Sequence, residues 1–75
     1  MIINRDELFK AIDTWLLNPF SNSYDLAVDC FKVAGIRFNN SDVFALAQVL
    51  DGGLADGQRA SGLTDLVISI FRENY

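Results

Sequence analysis

Apolar residues in this chain recur in short runs with helical spacing, and polar residues that cap or break helices separate the runs. Leu8, Ile12, Trp15 and Leu16 follow one another at i, i+4, i+7 and i+8, which places them on one face of an α-helix. Asp6, Lys10 and Asp13 fall on the opposite face, with Asp6 and Lys10 spaced to pair. Asn4 followed by Glu7 has the spacing of a capping box, and Ile3 is placed to pack on Leu8 as a hydrophobic staple. Pro19 restricts Asn18 and closes the segment.

A second helix is expected from near Ser23. Tyr24, Ala27, Val28, Phe31 and Ala34 make one apolar stripe, and Leu26, Cys30 and Val33 make another beside it. Only Asp25, Asp29 and Lys32 remain for water, so this helix needs cover on two sides. Gly35 is the expected left-handed terminator, with Ile36 placed for the accompanying apolar contact. Ile36-Arg37-Phe38 is too short to classify and could pair as extended chain with Ile2-Ile3. Asn39 to Asp42 offers several N-caps for a third helix running to about Leu50. Its core stripe is Val43, Leu46, Ala47 and Leu50, with Phe44 and Val49 off the stripe. Its polar side is little more than Asp42 and Gln48.

Residues 51–62, DGGLADGQRASG, hold four of the five glycines and read as a flexible Gly-rich connector, with room for one helical turn around Leu54–Gly57. Beyond it, Leu63, Leu66, Val67, Ile70 and Phe71 return to helical spacing. The β-branched run Val67-Ile68-Ser69-Ile70 leans toward strand, but alternation fails at Ser69 while the helical match is complete, so helix is expected from Leu63 to Asn74. The expectation is an all-α single domain spanning residues 1–75: a bundle of about four short helices in orthogonal packing.

The composition sharpens this picture. Half of the 75 residues are hydrophobic (51%) and the mean hydropathy is positive, at +0.20. That fills one core and leaves apolar side chains over, which in a small protein points to an oligomer or partner interface. A net charge of −4 disfavours phosphate-backbone binding, which depends on clustered Lys and Arg, and anionic membrane surfaces as well. A single cysteine excludes an internal disulfide framework and fits a reducing compartment. The amino terminus lacks a signal-peptide pattern, and no apolar run approaches the length of a membrane span. A cytoplasmic location is therefore expected. The initial Met and short length read as a complete small reading frame, a genre that includes accessory factors of phages and mobile elements.

Chemistry is conspicuous by what it lacks. The chain has no histidine, which removes the usual neutral-pH base and the commonest transition-metal ligand. One Cys and no His cannot build a zinc tetrahedron. Cys30 has no activating neighbour and sits in an apolar stripe, as a small buried hydrophobe would. Gly52 and Gly57 have the spacing of a phosphate loop, but Gln58-Arg59 stands where that motif needs Lys and then Ser or Thr. Counted from Asp51, a calcium loop would need oxygen ligands where Gly53, Ala55 and Gly62 stand. Asp25 and Asp29 share a helix face, but they share it with Lys32 and solvent. A helix-turn-helix reading fails because the second of its helices, from Asp42 to Leu50, carries no Arg or Lys. Mimicry of nucleic acid needs a denser acidic surface than this one.

The sequence therefore points to a non-enzymatic protein-binding module, an inhibitor, adaptor or regulator acting through a helical surface, with no cofactor and no metal. Candidate contacts are Phe44 and Val49 off the core stripe, Phe20 in the first connector, and Arg59 in the Gly-rich segment. The competing expectation is a homo-oligomeric assembly protein, with nucleic-acid binding or mimicry a weaker third. For each candidate residue the ordinary alternative is a core or solvated side chain.

Overall fold

The computed structural model describes residues 3–18 and 22–75, which form four helices. Helix α1 spans Arg5–Leu16, α2 Ser23–Ala34, α3 Asn40–Ala55 and α4 Ala60–Asn74. Helix α1 packs on α2 and α4, and α3 packs on the same two, so each helix has two neighbours around one core. The molecule measures 29 × 25 × 19 Å. No strand occurs among the described residues, and Ile36–Phe38 is plain connector. None of the described helices is long and apolar enough to cross a membrane.

Local signals explain the helix limits. The Asn4 side chain accepts from the Glu7 amide at 3.1 Å, and that of Asn22 accepts from Asp25 at 2.9 Å. At α3, Asn39 and Asp42 form a full capping box, each side chain accepting from the other's amide at 3.0 Å. Gly35 takes φ +68°, and the Ile36 and Gly35 amides donate to the Phe31 and Lys32 carbonyls, which is a Schellman ending.

A second Schellman ending corrects the expected connector. Gly57 takes φ +82°, with Gln58 and Gly57 donating to the carbonyls of Gly53 and Leu54. Helix α3 therefore runs five residues past Leu50, through Gly52 and Gly53, and α4 begins three residues before Leu63. Only residues 56–59 connect them, not 51–62. Two glycines cost helix propensity, about 1 kcal/mol each, but tertiary packing offsets the loss. Gly53 is buried, and a Cβ there would lie 2.7 Å from Leu63 Cδ2 and 3.0 Å from Leu66 Cδ1. The missing side chain is what lets α4 come this close.

The core joins Leu8 and Ile12 of α1, Leu26, Ala27, Cys30 and Phe31 of α2, Val43, Leu46 and Leu50 of α3, and Leu63, Val67 and Phe71 of α4. Helix α2 packs on α1 and α3, with Leu26, Ala27, Cys30 and Phe31 of its two predicted stripes buried and Tyr24, Val28, Val33 and Ala34 partly so. The one buried polar side chain among the described residues, Thr64, donates to the Ala60 carbonyl at 2.6 Å. The ion pair among the described residues is not Asp6–Lys10. It joins Arg5 to Asp65 at 3.0 Å, with Arg5 also donating to Ser61, and holds the starting turns of α1 and α4 side by side.

Candidate functional site

Three of the four helices turn charge outward: Asp6, Glu7, Lys10 and Asp13 on α1, Asp25, Asp29 and Lys32 on α2, and Asp65, Arg72 and Glu73 on α4. Helix α3 differs. Ser41, Phe44, Ala45, Gln48 and Gly52 are exposed on one face and carry no charge, and Asp51 is the one charged residue among the exposed positions of this helix. Asp51 stands at one edge of this face and Asp42 at the other.

Phe44 is 59% exposed. It leans on the α2 side of α3, where its ring meets Tyr24 edge-on with centroids 4.8 Å apart. Val49 lies about 140° further around the helix, half-buried on the α4 side. There it lines a groove of about 560 Å³ with Phe31, Asp42, Ala45, Leu46, Ile70, Asn74 and Tyr75. The two α3 candidates thus flank one face and do not touch. Arg59 is exposed at the N-cap of α4, at the far end of that helix from Tyr75. Phe20 lies outside the described residues.

An aromatic cluster closes one end of the groove. Buried Phe31 stacks on Phe38 at 5.1 Å and packs on Phe71 at 5.0 Å, and Tyr75 meets both Phe31 and Phe71 edge-on. The Tyr75 hydroxyl donates to Asp42 Oδ1 at 2.7 Å, tying the end of α4 to the first turn of α3. This bond and the Asn39 amide hold Asp42 below the usual carboxylate range. The same bond, with some burial, pushes the Tyr75 phenol up to about 12. A carboxylate held ionised by two donors is a weak proton acceptor, so the pair acts as a tether and not as an acid–base couple.

Reactive groups elsewhere are inert or scattered. Burial, with the nearby Asp29 charge, raises the Cys30 thiol to about 12, far from the thiolate a nucleophile needs. Among the described residues no group of three or more His, Cys, Asp or Glu is placed to hold a metal ion. A smaller recess of about 340 Å³ between α1 and α2 mixes Lys10, Thr14, Trp15 and Asp29 without converging them on a point. Sequence reasoning missed Ala45, Gln48, Tyr24 and Tyr75. The first two were signalled by the near-absence of charge on α3. Tyr75 reaches Asp42 across 33 residues, which no local pattern reports. Comparison with known proteins returns no matching family model, no similar curated protein and no similar solved structure.

Proposed function

We propose that this chain is a non-enzymatic protein-binding module, an inhibitor, adaptor or regulator, that meets its partner through the outward face of α3. The observation that carries the reading is the uncharged face bearing Phe44 in a chain of net charge −4 whose other helices turn charge outward. An exposed apolar patch rimmed by polar residues is characteristic of protein interaction sites, and aromatic anchors dominate such interfaces. Removing the exposed part of Phe44 from water would contribute on the order of 1–2 kcal/mol. Val49 and the groove add a recess on the α4 side, lined by Leu46 and Ile70 and edged by Asp42, Asn74 and Tyr75. The inert Cys30 and the absence of histidine agree with a protein whose work is binding. A cytoplasmic setting, which suits the single unpaired thiol, belongs to the same proposal.

The test is site-directed photo-crosslinking in cells that produce the protein. A photoreactive residue at Gln48 should capture a discrete protein band, whereas the same residue at Asp13, Asp29 or Ser69 should not. Equal capture from all four helices, or capture from every site except Gln48, would overturn the assignment.

A further inference from the structure

We infer that the partner of the α3 face is a basic protein that lays an arginine side chain along the groove between α3 and α4, with its guanidinium on the Asp42 carboxylate. The inference rests on the reading of α3 as the binding face and adds the chemistry of the occupant. Asp42, Ala45, Leu46 and Val49 follow one another at i, i+3, i+4 and i+7, a stripe about 10 Å long that forms the α3 wall of the groove. Ile70 and Asn74 line it from α4, and Tyr75 closes the Asp42 end. The recess is thus apolar along Leu46, Val49 and Ile70 and ends on a carboxylate. Arginine has the matching build, a methylene stem that covers apolar surface and a charged planar head that fits a carboxylate.

Asp42 keeps the capacity for this contact. Its Oδ1 accepts from the Tyr75 hydroxyl and its Oδ2 from the Asn39 amide, which leaves a lone pair on each oxygen for the two parallel N–H groups of a guanidinium. The exposed Tyr75 ring beside it offers an aromatic surface to the same cation. Among the described residues no cation of this chain takes the place. The ion pair there is Arg5–Asp65, so Arg37 in the connector before α3 does not pair with Asp42, and no Lys or Arg lines the groove. Arg72 lies about 160° around α4 from Ile70, and Arg59 is at the far end of that helix. Asp51 across the α3 face and Glu73 beside Asn74 add further negative charge. Charge complementarity therefore selects the occupant. An apolar side chain would strip water from Asp42 without replacing it, and an acidic partner would be repelled by a chain of net charge −4. A guanidinium replaces that water with charge-assisted bonds.

Nuclear magnetic resonance of the isotope-labelled full chain, titrated with the blocked peptide acetyl-Leu-Ala-Arg-amide, tests this. An extended peptide of that sequence projects Leu and Arg from one face. Shifts should concentrate at Ala45, Leu46, Val49 and Ile70 and saturate with a Kd of about 1–10 mM, as suits so short a probe. The citrulline analogue, alike in shape but uncharged, should bind about ten-fold more weakly. Ala45→Arg sets a guanidinium three residues from Asp42, within its reach on the helix surface, and should weaken peptide binding about ten-fold by taking the place itself. Ser69→Arg changes the net charge equally on the outward side of α4 and should leave binding unchanged. Ala45 and Ser69 are both exposed, so neither variant disturbs the core, and the citrulline comparison needs the parent chain alone. Equal binding of the citrulline peptide, undiminished binding to A45R, shifts centred on the acidic faces of α1 and α2, or no shift up to about 10 mM overturns the inference. Photo-capture of a partner at Gln48 by a chain that ignores the arginine peptide would leave α3 as the binding face and remove only the arginine.

Discussion

Gly52 and Gly53 are neighbours in α3 with opposite surroundings, and replacing each by alanine isolates what the packing of α3 on α4 contributes. Both positions are helical, and neither has a positive φ. Each substitution therefore gains the same intrinsic helix propensity, about 0.8–1 kcal/mol. At Gly52 a methyl group meets nothing within 4 Å, so that gain is kept and Gly52→Ala should stabilise the fold by nearly that amount. At Gly53 the methyl carbon would sit 2.7 Å from Leu63 Cδ2 and 3.0 Å from Leu66 Cδ1. Leu66 is half-buried and can swing outward, but Leu63 is fully buried and has nowhere to go. Overpacking of this kind costs about 1–3 kcal/mol, which cancels or exceeds the propensity gain. The two variants should differ by about 1–3 kcal/mol, or roughly 4–8 °C in Tm for each kcal/mol. Urea denaturation followed by circular dichroism, at a concentration where the mass is monomeric, reads the difference directly. If Gly53→Ala proves as stable as Gly52→Ala or more so, α4 does not press on α3 at this point. The extension of α3 beyond Leu50 would then have lost its physical explanation.

Gly35→Ala and Gly57→Ala force a Cβ into left-handed backbone at φ +68° and +82°, and each should lower stability by about 1 kcal/mol in thermal melts. Arg5→Ala removes an ion pair whose side chains are 46% and 66% exposed, so its cost should stay below about 1 kcal/mol and fade in high salt. Asp42 has a depressed folded-state pKa, so its tether to Tyr75 contributes above the usual carboxylate range and is lost as pH falls through the lower folded value. Tyr75 has a raised one, so its contribution is full below about 10 and is lost as pH rises from there to about 12. An ultraviolet phenol titration of the parent against Tyr75→Phe should show a step near 12 that the variant lacks. Cys30 should resist thiol reagents at pH 8 in the folded protein and react on denaturation, and prompt native-state labelling would contradict its burial.

Helices α1, α2 and α3 were legible because local signals mark them, with Asn4, Asn22 and Asn39 before an apolar rhythm and Gly35 after one, while α4 has no side-chain cap and was legible from its apolar spacing alone. The β-branched run at Val67–Ile70 became helix as its spacing indicated, since Val67 and Ile68 are both buried in the core. The stretch from Asp51 to Gly62 was not legible. Its glycines carry a low intrinsic helix preference, and that preference is overridden by Leu63 and Leu66, which pack against Gly53. The terminator was Gly57, the one glycine of the four in that stretch with a positive φ. Phe44 and Val49 stood out as apolar residues off the stripe. That they flank a single face, with a groove completed by Ile70 and Tyr75, depends on how α4 lies against α3. No spacing within α3 could report that.

Hydroxyl-radical footprinting tests most directly the claim that the outward face of α3 is a binding surface. Phe44 and Leu17 are both well exposed in the isolated chain, at 59% and 78%, and serve as probe and control. Comparing dilute purified protein with protein labelled inside the producing cell, the account predicts that oxidation of Phe44 falls several-fold while that of Leu17 is unchanged. Undiminished oxidation of Phe44 in the cell, or protection of Leu17 in its place, would contradict it.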